Sequence, residues 1–495
     1  MKAFEKLLKR FKKIPDIAQA LERCRPRKPV PLLVGHRLLE GGCVRIPCAG
    51  SVVELCLGGE KGTRLHLHPE RRLGKEAPGY WLVNMARLQN GHNGFFRLEP
   101  GAFLLLGRHS GEQCHLFDFS TRVARYHLMI LHRETHLLCI DLTPTAATCL
   151  RLLVGLPPDA TLAAWQARYR QHLVALFFRD TGLSDPAIHR PLPPAIALER
   201  LLRAHTLWRA QAFSPTAMPC CPAIDHASAQ AAVPLLWHLP ADTLPILVGD
   251  LHARVDNLLT LLTSGGVLAA LESGRATLIF LGDAVHPDAE GHQQEMQSSL
   301  LMMDLIVTLM LHFPTQIIYL RGNHDSCTEA VYKGNVPQGE LWQQALQKTR
   351  GKAYLSAMDA FYQDLPCLAV HPHLIAIHAA PPMERISPAR LADLRNHPHL
   401  VQQMIWNRPH QPHRPGGYRE KQINRLREAL ELSQDVPLVV GHTPLDREHT
   451  AWLHAGGVAH HHILYAGTPG KVGWLLCLPD RVVHLECPVE QQSVG

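Results

Sequence analysis

Five times between residues 244 and 442 a short run of apolar residues breaks into side chains of the kind that bind metals or move protons. "LPILVGDLH" takes Ile246, Leu247 and Val248 into Gly249, Asp250 and His252, and "ATLIFLGDAVHPD" takes Leu278 to Leu281 into Gly282 and Asp283. "IYLRGNHDS" takes Ile317 to Leu320 into Arg321, Gly322, Asn323, His324 and Asp325. "HLIAIHAAPP" takes Leu374 to Ile377 into His378, and "VPLVVGHTP" takes Leu438 to Val440 into Gly441 and His442. Short, uniformly apolar runs are strands buried on both faces, as in parallel sheets. Helical stretches alternate with them from residue 241 onward, the pattern of an α/β domain. Ligands of such sheets bind at the carboxyl ends of the strands. One such end is ordinary, because Asp after Gly makes turns and caps and the chain holds 33 His. Five in a row predict one site.

The chemistry of that site follows from its residue types. Asp and neutral His suit borderline divalent metals such as Mn²⁺, Fe or Zn²⁺. A bridging carboxylate holds two such ions about 3.5–4 Å apart, where they acidify a shared water and neutralise phosphoryl oxygens. No protein nucleophile is then needed, and the chain shows no GxSxG elbow.

The ordered motifs "GDLHA", "GDAVHPD", "GNHDS", "HAA" and "GHT" resemble those of the calcineurin-like metallophosphoesterases, and among them the Ser/Thr protein phosphatases. The likeness runs over about residues 241 to 480 and includes "LPCLAVHPHLIAIHAAPP" and "MIWNRP". It implies an α/β metallophosphoesterase fold, a β-sandwich flanked by helices, and two divalent metal ions, Mn²⁺ first and Fe or Zn²⁺ as alternatives. Asp250 and His252 would hold one ion, Asp283 would bridge, and Asn323, His378 and His442 would hold the other. His324 would protonate or orient the leaving oxygen, and Arg321 would clamp the phosphate. A hydroxide bridging the metals would attack phosphorus. The second motif departs from the family: His286 and Pro287 stand where it supplies Asp and Arg. That removes one phosphate-clamping arginine and the acid that pairs with the leaving-group histidine. Asp325, Asp288 and Arg414 are the residues available to compensate. The family's Gly after the first motif is Ala253, and its "HGG" is "HAA".

The rest of the chain points to further domains. Its 495 residues suffice for two or three. Residues 1–30 form a basic amphipathic segment that carries the whole net charge of +7, with Phe4, Leu7, Leu8 and Phe11 on one helical face. The reading preferred for it is a helix packed on its own domain, with weak membrane-surface contact as the alternative. Because the remainder balances, a nucleic-acid partner is not expected. Residues 40–155 are rich in short strand-like runs such as "GAFLLLGR" and "THLLCIDLTP". Residues 156–240 read as a helical connector, with Leu162, Trp165, Tyr169, Leu173, Leu198, Leu201 and Leu202 at helical spacing, followed by a Pro- and Ala-rich linker. The thirteen scattered Cys argue for reduced thiols and a cytoplasmic setting, and no apolar run of membrane-spanning length occurs.

The stretch around Gly107 and Arg108 resembles a degenerate forkhead-associated (FHA) domain. Ala124 replaces the Ser of its second motif while His127 is kept, and Asp141, Leu142 and Thr148 fit its last motif, with Ala146 in place of Asn. That resemblance implies an N-terminal β-sandwich in which Arg108, helped by Arg125, would meet phosphate or peptide. The chain is thus expected to be multidomain: an FHA-like β-sandwich, a helical connector and a metallophosphoesterase domain over 241–495. The function expected is a dinuclear-metal phosphoprotein phosphatase, with Ser/Thr or Tyr specificity open and the FHA-like domain placing substrate or partner protein. A dinucleoside polyphosphate hydrolase and a metal-binding scaffold of little turnover are the alternatives.

Overall fold

The computed structural model describes residues 190–212 and 232–489 with short gaps, and the first 153 residues mainly as strands and their connections from Val30 onward. The basic N-terminal helix, the segment 213–231 and Arg414 lie outside the described residues. The chain divides into two compact units, Met1–Leu173 with Leu262–Arg275, and Val174–Leu261 with Ala276–Gly495.

The first unit is built on two sheets. One runs β1 (Val30–Pro31), β3 (Cys43–Pro47), β10 (His136–Asp141), β9 (Leu128–His132), β8 (Phe103–Leu106). The other runs β2 (His36–Leu39), β11 (Thr148–Leu153), β4 (Val52–Leu57), β5 (Thr63–Pro69), β6 (Tyr80–Asn84), β7 (Phe95–Leu98). Runs such as "LMILH" are buried throughout. Glu54 is buried too, and stays ionised because it is paired across the ladder. Arg151 lies opposite it at 2.5 Å and His66 at 3.3 Å. Burial pushes the Glu54 carboxyl up, but these partners outweigh burial and hold it low.

The second unit pairs its strands into two further sheets. One runs β12 (Leu236–His238), β16 (Leu368–His371), β17 (Leu374–Ile377), β18 (Leu438–Val440), β20 (His461–Leu464), β19 (Ala451–Leu453). The other runs β15 (Ile317–Tyr319), β14 (Ala276–Phe280), β13 (Leu244–Val248), β21 (Lys471–Leu478), β22 (Arg481–Pro488). The apolar runs singled out in the sequence are β13, β14, β15, β17 and β18. The pairs β13–β14, β14–β15 and β17–β18 are parallel, so neighbouring strand ends point the same way. Each of these strands is fully buried, as uniform hydrophobicity requires.

Residues 190–212 and 232–240 of the expected connector supply structure to this second unit. Helix α1 (Pro194–Ala212) buries Ala197, Leu201, Ala204, Trp208 and Ala212, while Leu202 stays 48% exposed. Adjacent Leu201 and Leu202 lie about 100° apart on a helix, so only one joins the stripe. Trp208 stacks on Trp237 at 4.2 Å and donates its indole N–H to Asp364 O at 3.2 Å. Asp364 also gathers His205 at 2.9 Å, Arg209 at 2.5 Å and Arg395 at 2.7 Å. Among the described residues no helix is long and apolar enough to cross a membrane.

Because α1 packs so deeply, Trp208→Ala should destabilise the second unit by roughly 3–5 kcal/mol, the usual cost of emptying a large aromatic site. Urea unfolding followed by the fluorescence of the remaining tryptophans measures it. A loss below about 1 kcal/mol would show that α1 is dispensable to this unit.

Candidate metal centre

Loops from both sheets of the second unit meet at one place. Asp250 and His252 follow β13, Asp283 follows β14, and Asn323 and His324 follow β15. His378 follows β17 in the other sheet, and His442 follows β18. All seven are nearly or fully buried. One ligand atom each from Asp250, His252 and Asp283 lies within 4.8 Å of the others, and the same holds for Asp283, His378 and His442. Asn323 Oδ1 is 3.1 Å from His378 Nε2, which itself lies 3.4 Å from Asp283 Oδ2.

The turns that present these groups are strained. His252, Ala253, Asp283, His286 and His442 adopt φ of 45°, 58°, 51°, 66° and 62°, the left-handed region that side chains other than glycine seldom enter. Such strain persists where surrounding contacts over-determine it, and here the loops brace one another. His252 N–H donates to Asp283 O at 3.0 Å and Ala253 N–H to Ala284 O at 2.7 Å. Asp283 Oδ1 accepts from His324 N–H at 2.8 Å, and Asp250 accepts from His442 N–H at 3.0 Å. The glycines of the motifs make room for this. A Cβ on Gly322 would sit 2.2 Å from Asp283 Oδ1, and one on Gly441 would sit 2.2 Å from Asp250 Oδ1.

Each histidine of the ligand set is turned the same way. His252 Nδ1 lies 3.0 Å from His286 O, His378 Nδ1 lies 2.8 Å from Leu281 O, and His442 Nε2 lies 3.2 Å from Trp406 O. A carbonyl only accepts, so each of these nitrogens carries the proton. The other nitrogen of each ring is the one left to bind a metal. That is the support a metal-bound imidazole uses.

Charge makes the same point. Burial pulls the His378 imidazole down, but Asp283 and then Asp250 outweigh it and raise it to about 9. Burial pushes Asp283 up, yet His378 and His324 hold it well below the usual carboxylate range. Burial followed by the charge of His378 lowers His442 to about 2. The cluster demands positive charge, and divalent ions fit its oxygen and nitrogen donors.

The other expected residues fall into different places. His324 joins the site, with its Nδ1 3.2 Å from His286 Nδ1. The position of the family's acid is thus filled by an imidazole, whose Nε2 is buried without a hydrogen-bond partner and whose ring stands edge-on to Trp342 at 6.0 Å. Asp325 is not beside His324. Its Oδ2 accepts from the N–H groups of Gly322 and Asp283, both at 2.8 Å, and its Oδ1 accepts from Tyr319 OH at 2.5 Å. It braces the loop rather than exchanging protons. Arg321 donates its backbone N–H to Pro366 O at 2.8 Å, and its charge acts on the Cys367 thiol. In the first unit Arg108 and Arg125 are both exposed, and Arg108 N–H donates to Ala124 O at 3.0 Å.

Two neighbours of the centre were not singled out from sequence. Arg408 reaches His442 O at 3.4 Å and Thr443 Oγ1 at 3.3 Å, and it sits inside the "MIWNRP" segment. Tyr465 bridges Asp250 through the backbone, and its hydroxyl donates to Asp288 Oδ2. "HHILYAG" repeats the pattern of an apolar run breaking into glycine, which was the signal for Tyr465.

Residues 245–461 match the calcineurin-like phosphoesterase family. The chain is 33% identical over 107 residues to the serine/threonine-protein phosphatase 6 catalytic subunit of Caenorhabditis elegans, covering 22% of this chain and 27% of that relative. The match therefore spans about a quarter of the relative's length. A solved serine/threonine phosphatase from Saccharomyces cerevisiae, described as similar to human phosphatase PP5, aligns at 13% identity over 61% of this chain and 92% of its own, with a TM-score of 0.45. The protein TT1561 of Thermus thermophilus aligns at 12% identity over 50% of this chain and 99% of its own, with a TM-score of 0.23.

A raised His378 makes metal binding compete with a proton. Its lone pair is available only after deprotonation, so below about 9 affinity should fall roughly tenfold for each pH unit. Burial also raises Asp250 to about 7, so titration of the metal-free protein with Mn²⁺ at pH 7, in buffers of different ionisation enthalpy, should show between about one and two protons released. Affinity that does not change between pH 6 and pH 8 would exclude this.

Proposed function

We propose that this chain, which carries a calcineurin-like phosphoesterase domain at residues 245–461, is a metal-dependent phosphomonoesterase acting on phosphoproteins. The observation that carries the reading is the orientation of His252, His378 and His442, each held by a backbone carbonyl at one nitrogen so that the other is left to serve as a metal ligand. Asp250, His252 and Asp283 would hold one divalent ion, and Asp283, Asn323, His378 and His442 a second, with Mn²⁺ the first choice and Fe or Zn²⁺ the alternatives. Bound there, the ions would neutralise phosphoryl oxygens and lower the pKa of the attacking water.

The protein's own groups divide the remaining work. Burial of the cluster excludes bulk water and strengthens every electrostatic contact in it. His324 delivers the proton to the leaving oxygen from its Nε2, while His286 fixes its ring through the 3.2 Å contact between the two Nδ1 atoms. A neutral imidazole can accept the His324 N–H but brings no negative charge to stabilise an imidazolium. Leaving oxygens that need little protonation are therefore favoured. A phenolate, as from phosphotyrosine, leaves at a pKa of about 10, whereas a serine alkoxide is far more basic.

In the same reading the first unit is an FHA-like module that places a substrate or partner, with Arg108 and Arg125 both exposed. A phosphothreonine peptide library should bind the full chain, and Arg108→Ala should weaken that binding at least about tenfold by removing a charge-assisted donor. Equal binding by the variant would end that role.

Activity is tested with the full chain and Mn²⁺ on phosphotyrosine, phosphothreonine and phosphoserine peptides. Phosphotyrosine should be cleaved fastest, and Asp283→Asn or Asp250→Asn should lower turnover by about 10²-fold or more. His286→Asp should raise phosphoserine kcat several-fold while changing phosphotyrosine little, because it restores the counter-charge where protonation is limiting. Cleavage of diadenosine polyphosphates without phosphate release from any peptide would replace this substrate class with nucleotides. Metal uptake without any hydrolysis would leave a scaffold.

A further inference from the structure

An imidazole in the place of a carboxylate brings a requirement that the carboxylate lacked. An ionised carboxylate only accepts, whereas a neutral imidazole accepts at one ring nitrogen and donates at the other. His286 Nδ1 lies 3.2 Å from His324 Nδ1 and can take the His324 N–H only when its own proton sits on Nε2. Ser299 Oγ fixes the backbone of His286 by accepting its N–H at 3.0 Å, but that contact chooses no tautomer. The choice falls to whatever meets Nε2, which is fully buried and has no hydrogen-bond partner among the described residues.

Two further buried polar atoms without partners belong to the same place. Gln338 opens the helix Gln338–Arg350, and its Nε2 donates to Pro287 O at 2.8 Å and Gln293 O at 3.0 Å. Carbonyls only accept, so these two bonds fix the amide orientation and leave its other atom as Oε1, an acceptor. That Oε1 is buried and has no donor among the described residues. Trp342 follows one helical turn later, on the same face as Gln338, and stands edge-on to the His286 ring at 6.0 Å. Its indole N–H is also buried without an acceptor, acting on the Tyr362 hydroxyl without reaching hydrogen-bond geometry. His286, Gln338 and Trp342 are all wholly enclosed. Buried polar groups are costly to leave unpaired. Two donors and one acceptor, on one helical turn and the loop it clamps, complement a single buried water, which usually makes about three bonds.

We propose that Gln338 is the positioning residue of the His286–His324 pair: through one water that also takes the Trp342 N–H, its Oε1 draws the His286 proton to Nε2 and leaves Nδ1 to accept from His324. The inference rests on the phosphoesterase reading for the reaction that His324 serves. With the His286 proton on Nδ1 instead, two N–H groups would face each other across 3.2 Å. His324 would then lose the contact that fixes its ring. The clamp on Pro287 O gives the amide a second use, since the same two bonds that hold the loop also aim Oε1.

Ring ¹⁵N spectra of the full chain loaded with diamagnetic Zn²⁺ read the tautomer without requiring turnover, the His286 signals being those lost in His286→Asn. The parent should carry the proton on Nε2. Gln338→Met, which keeps the length of the side chain and removes the acceptor, should lose that preference. Trp342→Phe, which keeps the ring and leaves the acceptor in place, should retain it. In the same Gln338→Met chain phosphoserine kcat should fall at least about tenfold, and by much more than phosphotyrosine kcat, with bound Mn²⁺ equal to the parent. A loosened loop would lower both substrates together. A proton on Nδ1 in the parent, or an Nε2 proton undisturbed in Gln338→Met, overturns the proposal. So does a crystal structure with no ordered water joining the three atoms. Where Gln338→Met does not fold, the parent's tautomer and that water still decide. The two readings fail separately. A tautomer set by Gln338 in a chain that cleaves no phosphoester removes the enzymatic reading alone. Hydrolysis with the His286 tautomer indifferent to Gln338 removes this inference alone.

Discussion

Two buried carboxylates that share one imidazole set the terms for the second unit. Asp250 and Asp283 have almost no exposure, and His378 lies between them, 4.0 Å from the first and 3.4 Å from the second. Buried charge is tolerated only with partners, so the surrounding chain is organised to supply them. Backbone N–H groups of His442 and His324 turn toward the carboxylates. Those N–H groups can reach only because Gly441 and Gly322 lack side chains that would occupy the same space. The left-handed turns at His252, Asp283 and His442 follow from the same requirement. Backbone strain, glycine placement and ligand orientation are three expressions of one electrostatic demand.

That demand is met by loops, and the loops are only as fixed as the strands and helices behind them. Asp325, with two backbone N–H groups and the Tyr319 hydroxyl on its carboxylate, ties the third loop to the second and to the strand that carries it. Farther out, Asp304 takes Arg350 at 2.5 Å and Leu192 N–H at 2.7 Å, linking helix α4 (after α2, Val255–Thr263, and α3, Val267–Glu272; Gln297–His312) to the chain just before α1. Asp364 does the same for α1 itself. Carboxylates recur as fasteners because each accepts several bonds at once. This gives the ligand loops a rigid base without a larger apolar core.

The strands were legible in the sequence because burial on both faces demands uniform apolar runs, which few other elements produce. Their ends were legible because glycine and a polar cluster cannot continue a buried strand. Which sheet each strand joins was not, since β13 pairs with β21 more than two hundred residues away and no local pattern encodes that partner. Leu202 looked like a core residue by spacing and proved exposed, because the stripe of α1 is set by Ala197, Ala204 and Ala212 as much as by its leucines. Small residues mark close packing but carry little weight in a hydrophobic pattern. The partners of Asp325 were not legible either, because its carboxylate is taken up by Gly322 N–H, Asp283 N–H and the Tyr319 hydroxyl, which only the folded turn brings together.

The second-motif loop holds Asp283 apart from His286 and Pro287. Asp283 belongs to the metal cluster, and its loop still presents it at φ 51° with its carboxylate on His324 N–H. Three and four residues later, His286 meets His324 through their Nδ1 atoms and Pro287 O accepts from Gln338, so substitution there leaves the donor set intact. The His286 carbonyl accepts from His252 Nδ1 and so orients that ring. The change is thus confined to side-chain chemistry on one flank of the centre, and the buried Asp and His donors on the other loops keep their positions.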